Sequence, residues 1–191
     1  MKSTSALPEG YHEICAIDLQ KNKKLMTLVN GFALVIMALM TVPMLFVVPF
    51  DTLKDAPDFF QKFWLILVAL GYIIYIVLHE AVHGIAMKIC GTQRVKYGFT
   101  GVYAFAGSDD YYGKGAYIFI ALAPVVLFGV LFAILNLVLP LYTFWAVYIL
   151  QIGNLSGAAG DFYVTCKFMR LPSDILVTDY GVGMKVYSKS E

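Results

Sequence analysis

FWLILVALGYIIYIVLHEAVHGIAM, residues 63–87, is the stretch whose reading decides the fold. Its 25 residues, wound as an α-helix, reach roughly 37 Å at 1.5 Å per residue, which exceeds a hydrocarbon core of about 30 Å. Within it only His79, Glu80 and His83 are charged or histidine side chains. Such groups are expensive in lipid, so their presence points to a task.

The three residues form HEAVH. At about 100° per residue, the two histidines lie roughly 40° apart on one helix face, one turn from each other. Two imidazoles so placed can hold one metal ion. Glu80 points to a neighbouring part of the surface, where it can take a proton from an activated water without being a ligand itself. This is the HExxH arrangement of metalloproteases. Other readings stay open at this point: histidines that hydrogen-bond neighbouring helices, ligate a haem, or carry ions or electrons in a transporter subunit.

Working outward, the 191 residues are 60% hydrophobic and 14% charged, with mean hydropathy +0.73. That is too apolar for an ordinary soluble domain and points to a polytopic membrane protein, with the lipid bilayer as its first partner. A net charge of +1 lacks the basic excess of a phosphate-binding surface, so nucleic acid is excluded as a partner. Oligomeric state is not legible. Cys15, Cys90 and Cys166 are an odd set without CxxC spacing, which argues against a disulfide framework. Cys90 falls seven residues after His83, on a similar helix face, but Gly91 follows at once as a helix stop.

Four stretches are long enough to cross a bilayer, at about 25–50, 63–89, 115–139 and 141–165. The expected fold class is therefore an all-α polytopic membrane protein with four transmembrane helices. The expected organisation is one membrane domain over 1–191, with a polar segment at 1–24 and a tail at 166–191. The N-terminal stretch carries acidic residues before its first apolar run and reads as no cleavable signal. Twelve of the fourteen Lys and Arg side chains fall before helix one, between helices two and three, or after helix four, leaving only Lys54 and Lys62 on the other side. The positive-inside rule then places both termini in the cytoplasm. The loop 91–115 contains the partly alternating runs Val95, Tyr97, Phe99 and Val102, Tyr103, Phe105, which suggest a short cytoplasmic β-hairpin between helices two and three. ILVTDY, in the tail, suggests a further short strand.

With that topology His79 lies roughly 24 Å along helix two from Phe63, and Asp161 roughly 30 Å along helix four from Leu141, so both reach a similar level toward the cytoplasmic leaflet. Zinc held by two histidines wants a third protein ligand and an open position. Asp161 is the natural candidate, although an acid near the interface also serves as a simple helix boundary. In QIGNLSGAAGD, residues 151–161, Asn154 shares a stripe with Asp161. It is a candidate for positioning substrate or stabilising an oxyanion, and equally for bonding across helices. The glycines read as sites of close helix packing.

HEAVH on one membrane helix and NLSGAAGD on a later one resembles the HExxH plus Asn-and-Asp pattern of site-2-protease-like intramembrane metalloproteases. It resembles more closely the small bacterial membrane zincin peptidases. The resemblance spans about 63–168, and it implies Zn2+ on His79, His83 and Asp161 with Glu80 as base. Asn154 departs from the LDG-type context of the better-known site-2 proteases. The function so implied is zinc-dependent cleavage of a membrane-protein or juxtamembrane peptide segment near the cytoplasmic face of a bacterial plasma membrane, by a multi-pass protein. The alternative is a non-enzymatic metal- or haem-binding membrane protein or transporter subunit.

Overall fold

A computed structural model describes residues 3–101 and 103–189. Three helices are long and apolar enough to cross a membrane: α1 (Lys23–Val47), α2 (Asp58–Ile89) and α3 (Lys114–Val138). Two shorter ones follow, α4 (Phe144–Gly157) and α5 (Ala159–Met169). Among the described residues, six short strands lie around them: β1 (His12–Ile17), β2 (Lys96–Phe99), β3 (Ala104–Gly107), β4 (Tyr111–Gly113), β5 (Leu176–Asp179) and β6 (Met184–Ser188). Apolar side chains such as Leu34, Leu65, Ile73, Val77, Val126 and Leu137 face outward, whereas His79, Asn154 and Ser156 are buried. This reversal of the usual inside and outside is what a lipid solvent demands.

The expectation of an all-α fold with four spanning helices is corrected in two respects. First, β1, β6, β5 and β4 form a four-stranded antiparallel sheet in that order, and β2 and β3 form a separate hairpin. The sheet joins the N-terminal segment, the α2–α3 connection and the tail. Its strands run three to six residues, so little periodicity marks them, and their pairing is set by segments far apart in the chain. The hairpin between helices two and three and the strand within ILVTDY are present as β2–β3 and β5; Val102, in the second alternating run, lies outside the described residues.

Second, the stretch 141–165 is not one continuous helix. It breaks at Ala158, whose φ of −81° and ψ of 14° interrupt the ladder between α4 and α5. Gly157 and Gly160 flank the break, and glycine weakens a helix interior by roughly 0.5–1 kcal/mol relative to alanine.

α2 owes its 32 residues to matched ends. Pro57 precedes it and Asp58 opens the first turn, favourable at the positive pole of the helix. At the other end Gly91 takes φ +105°, the Gly91 N–H donates to the Lys88 carbonyl and the Thr92 N–H to that of Met87. This is the Schellman pattern, in which a left-handed glycine satisfies the last carbonyls. The chain thus leaves α2 sharply and returns along it as the β2–β3 hairpin.

The sheet closes over the ends of α2, α3 and α5. Tyr112, Val177 and Val186 from the strands pack with Met87, Ile120 and Phe168 from the helices, all nearly inaccessible. Each such side chain contributes roughly 1.5–3 kcal/mol. A second apolar cluster, Tyr75, Phe128, Phe132 and Val147, lies further along α2, α3 and α4. The HEAVH turn sits between the two.

Candidate metal centre

His79 and His83 lie one turn apart on α2, edge to face, with ring centroids 4.9 Å from each other. Asp161, in the first turn of α5, reaches both. Its carboxylate oxygens lie 3.7 Å from His79 Nε2 and 3.8 Å from His83 Nε2. Ligand atoms of His79, Glu80 and His83 lie within 4.8 Å of one another. The helix break at Ala158 places Asp161 just past an interruption rather than deep in a continuous helix.

The other ring nitrogens are committed. His83 Nδ1 lies 2.9 Å from the Ile120 carbonyl, and since a carbonyl only accepts, the proton sits on Nδ1. That carbonyl is available because residue 124, which would supply its helical N–H partner, is Pro124, which has no N–H. The Asn154 amide is oriented by Nδ2 donating to the Val125 carbonyl at 3.1 Å. Its Oδ1 therefore accepts from the Tyr75 hydroxyl, at 3.1 Å. Having spent its one proton there, Tyr75 Oη accepts from His79 Nδ1, at 2.9 Å. Both histidines thus carry Nδ1–H, and both Nε2 lone pairs are bare on the side of Asp161.

This donor set fits zinc. Two imidazole Nε2 atoms and a carboxylate are a usual catalytic composition, and metal–ligand distances of about 2.0–2.2 Å make each edge of a tetrahedral site about 3.3–3.6 Å. The observed 3.7 and 3.8 Å separations are a few tenths of an ångström wider. Closing them takes a small side-chain movement. Each histidine has its Nδ1–H held by a protein oxygen, as metal-bound histidines require.

Glu80 also brings a carboxylate oxygen within 4.8 Å of the ligand atoms of His79 and His83. Its side chain lines the cavity together with Ala106 of β3. Tyr97 of β2 lies against Gly84 of α2. A Cβ on Gly84 would meet the Tyr97 hydroxyl at 1.9 Å, so any larger residue has to displace the outer end of that side chain.

A cavity of about 360 Å³ contains His79, Glu80, His83 and Asp161, walled by Tyr72, Phe105 and Ile120 among others. Asn154 is not among its lining residues and is fully inaccessible.

Three participants escape a reading of the sequence. Tyr75 stands four residues before His79, a spacing that was visible, but a tyrosine in an apolar run gives no signal by itself. The Ile120 carbonyl could be inferred only from Pro124, once α3 is known to pack on α2. Asp179 lines the cavity, accepts from the Gly181 N–H at 2.8 Å and from the Tyr117 hydroxyl, and has its carboxyl pushed above the usual range by burial. It belongs to β5, far from either motif, and only sheet pairing brings it here.

Comparison with known proteins gives a consistent picture. An uncharacterized 24.7 kDa protein in the gap 5' region of Pyrococcus woesei is 29% identical over 123 residues, covering 62% of this chain and 53% of the relative. The chain therefore spans about half the length of that relative. No solved structure matches. The family described as "Putative zincin peptidase" (DUF3267) matches residues 72–176. Zincins use zinc, in keeping with the His-Glu-His cluster on α2. The match takes in more than half of the chain and every residue of the centre from Tyr75 to Asp161, and we conclude that this chain belongs to the Putative zincin peptidase family.

Proposed function

We propose that the chain is a zinc-dependent, membrane-embedded endopeptidase, of site-2-protease-like type, that cleaves a membrane-protein or juxtamembrane segment near the cytoplasmic face of a cell membrane. The observation that carries this reading is the convergence of two bare Nε2 atoms and Asp161, with Glu80 beside them, in a chain whose helices suit a lipid solvent.

In this reading His79, His83 and Asp161 hold the zinc and Asn154 serves the site from outside the cavity. Zinc in such a site supplies Lewis acidity toward water and toward the scissile carbonyl. Glu80 accepts a proton from the attacking water and returns it to the departing amine. Phe105, Tyr72 and Ile76 line the cavity with apolar surface and limit bulk water around the exchange.

The substrate must arrive unwound, because a helix hides its carbonyls in hydrogen bonds. β3 supports a route for this. It pairs with β2 along one edge and, among the described residues, with no strand along the other, while Ala104, Phe105 and Ala106 line the cavity. An extended segment added to that edge would lie next to Glu80. A frayed or glycine-rich segment is the preferred substrate. The concentration of Lys and Arg at the sheet end supports a cytoplasmic mouth.

The test is to reconstitute the zinc-loaded protein in liposomes with a mixture of single-span membrane proteins and to map new N-termini by mass spectrometry. New termini should arise with the wild type, and Glu80→Gln should keep zinc while losing roughly 10²–10⁴-fold in rate. Equal cleavage by both proteins would overturn the reading. A Glu80→Gln variant altered in metal affinity or ion flux, with no cleavage by either protein, would favour the metal-binding or transport alternative.

A further inference from the structure

Asn154 is the most completely buried polar group in the bundle, with no accessible surface, and both atoms of its amide are engaged with protein. Nothing remains of it to face a substrate. Its effect on the centre passes instead through Tyr75, which stands between Asn154 Oδ1 at 3.1 Å and His79 Nδ1 at 2.9 Å. A phenol has one proton. Wherever it goes decides whether Tyr75 is a donor or an acceptor toward His79, and hence which imidazole nitrogen is left without a proton.

We propose that Asn154 and Tyr75 are positioning residues that set the tautomer of His79: Asn154 takes the Tyr75 proton, Tyr75 must then accept from His79 Nδ1–H, and Nε2 is kept bare. The proposal rests on the zinc centre described above. It assigns Asn154 to tautomer control in place of oxyanion or substrate contact.

A specific asymmetry follows. Tyr75→Phe removes the acceptor and leaves the His79 ring unanchored. Asn154→Leu is worse, because the freed Tyr75 hydroxyl turns its proton on His79 Nδ1 and drives the imidazole proton to Nε2, the nitrogen that zinc needs. Removing the hydroxyl as well should cancel that harm. Simple packing defects would add instead.

The experiment measures zinc affinity by chelator competition on detergent-purified wild type, Tyr75→Phe, Asn154→Leu and the double variant. Histidine tautomers in the zinc-free proteins are read by 15N NMR, with His79 identified by its absence in His79→Ala. Outer-shell changes of this kind cost about 10–100-fold in metal affinity. Tyr75→Phe should lose about tenfold and Asn154→Leu about a hundredfold, and the double variant should recover to the Tyr75→Phe level. The His79 proton should sit on Nδ1 in the wild type and on Nε2 in Asn154→Leu. Unchanged affinity in Asn154→Leu, or a double variant weaker than either single, would overturn the proposal. If Asn154→Leu does not fold, a wild-type His79 protonated at Nε2 overturns it equally. A folded wild type that binds no zinc would overturn the centre itself, which is a different failure from a zinc-binding wild type whose variants are indifferent.

Discussion

Pro124 lies four residues after Ile120 on α3, and the Ile120 carbonyl that the helix cannot use accepts the Nδ1–H of His83 at 2.9 Å. A helix defect on one element thus orients a ligand on another. Proline in a helix interior costs about 3 kcal/mol or more in soluble proteins, and in a membrane the freed carbonyl must find a donor. Pro124→Ala restores an N–H that competes for that carbonyl. The expected result is a protein with a higher unfolding temperature and a zinc affinity weaker by up to about tenfold. Thermal unfolding and chelator competition on the same preparation check both.

Asp161 differs from the outer-shell groups because its oxygens approach both Nε2 atoms directly. Asp161→Ala should therefore lose more zinc affinity than the roughly 10–100-fold expected when only a hydrogen-bond partner of a ligand is removed, while Glu80→Gln should retain zinc. Elemental analysis after gel filtration separates the two. An Asp161→Ala protein with full zinc would remove Asp161 from the ligand set.

The glycines of 151–161 do not share one role. A Cβ on Gly153 would lie 2.3 Å from the Tyr72 ring, whereas one on Gly157 meets nothing within 4 Å. Gly153→Ala should destabilise by about 1–3 kcal/mol through overpacking. Gly157→Ala, at the end of α4, should fall within about 0.5 kcal/mol of the wild type. Unfolding of the two variants in the same detergent tests the contrast.

Asp179 offers a pH signature. Burial raises its carboxyl above the usual range, opposed by the hydrogen bonds from Tyr117 and Gly181. The fold therefore favours the protonated form. That contribution to stability is complete below the pH at which an unfolded aspartate titrates, and it is lost as pH rises through the raised native value. Tyr117→Phe removes one opposing hydrogen bond, so the protonated-carboxyl infrared band, identified by its absence in Asp179→Asn, should persist to higher pH than in the wild type. A band that disappears at lower pH would contradict this account.

What could be read from the chain alone was local or compositional. Residues 63–87 announce a helix in lipid because length and apolarity are sufficient for that inference. HEAVH announces a paired-histidine face because i and i+4 neighbours are set by helix geometry, whatever the rest of the fold does. Only the tertiary structure decided that β1, β4, β5 and β6 form one sheet, since three- to six-residue strands carry little periodicity and their partners lie in three separate parts of the chain. The stripe in 151–161 offers Asn154 and Asp161 as candidates, but only the tertiary structure brought Tyr75, the Ile120 carbonyl and Asp179 around the histidines, because a hydrogen bond between side chains 79 residues apart, or between a ring and another helix's backbone, leaves no spacing to read.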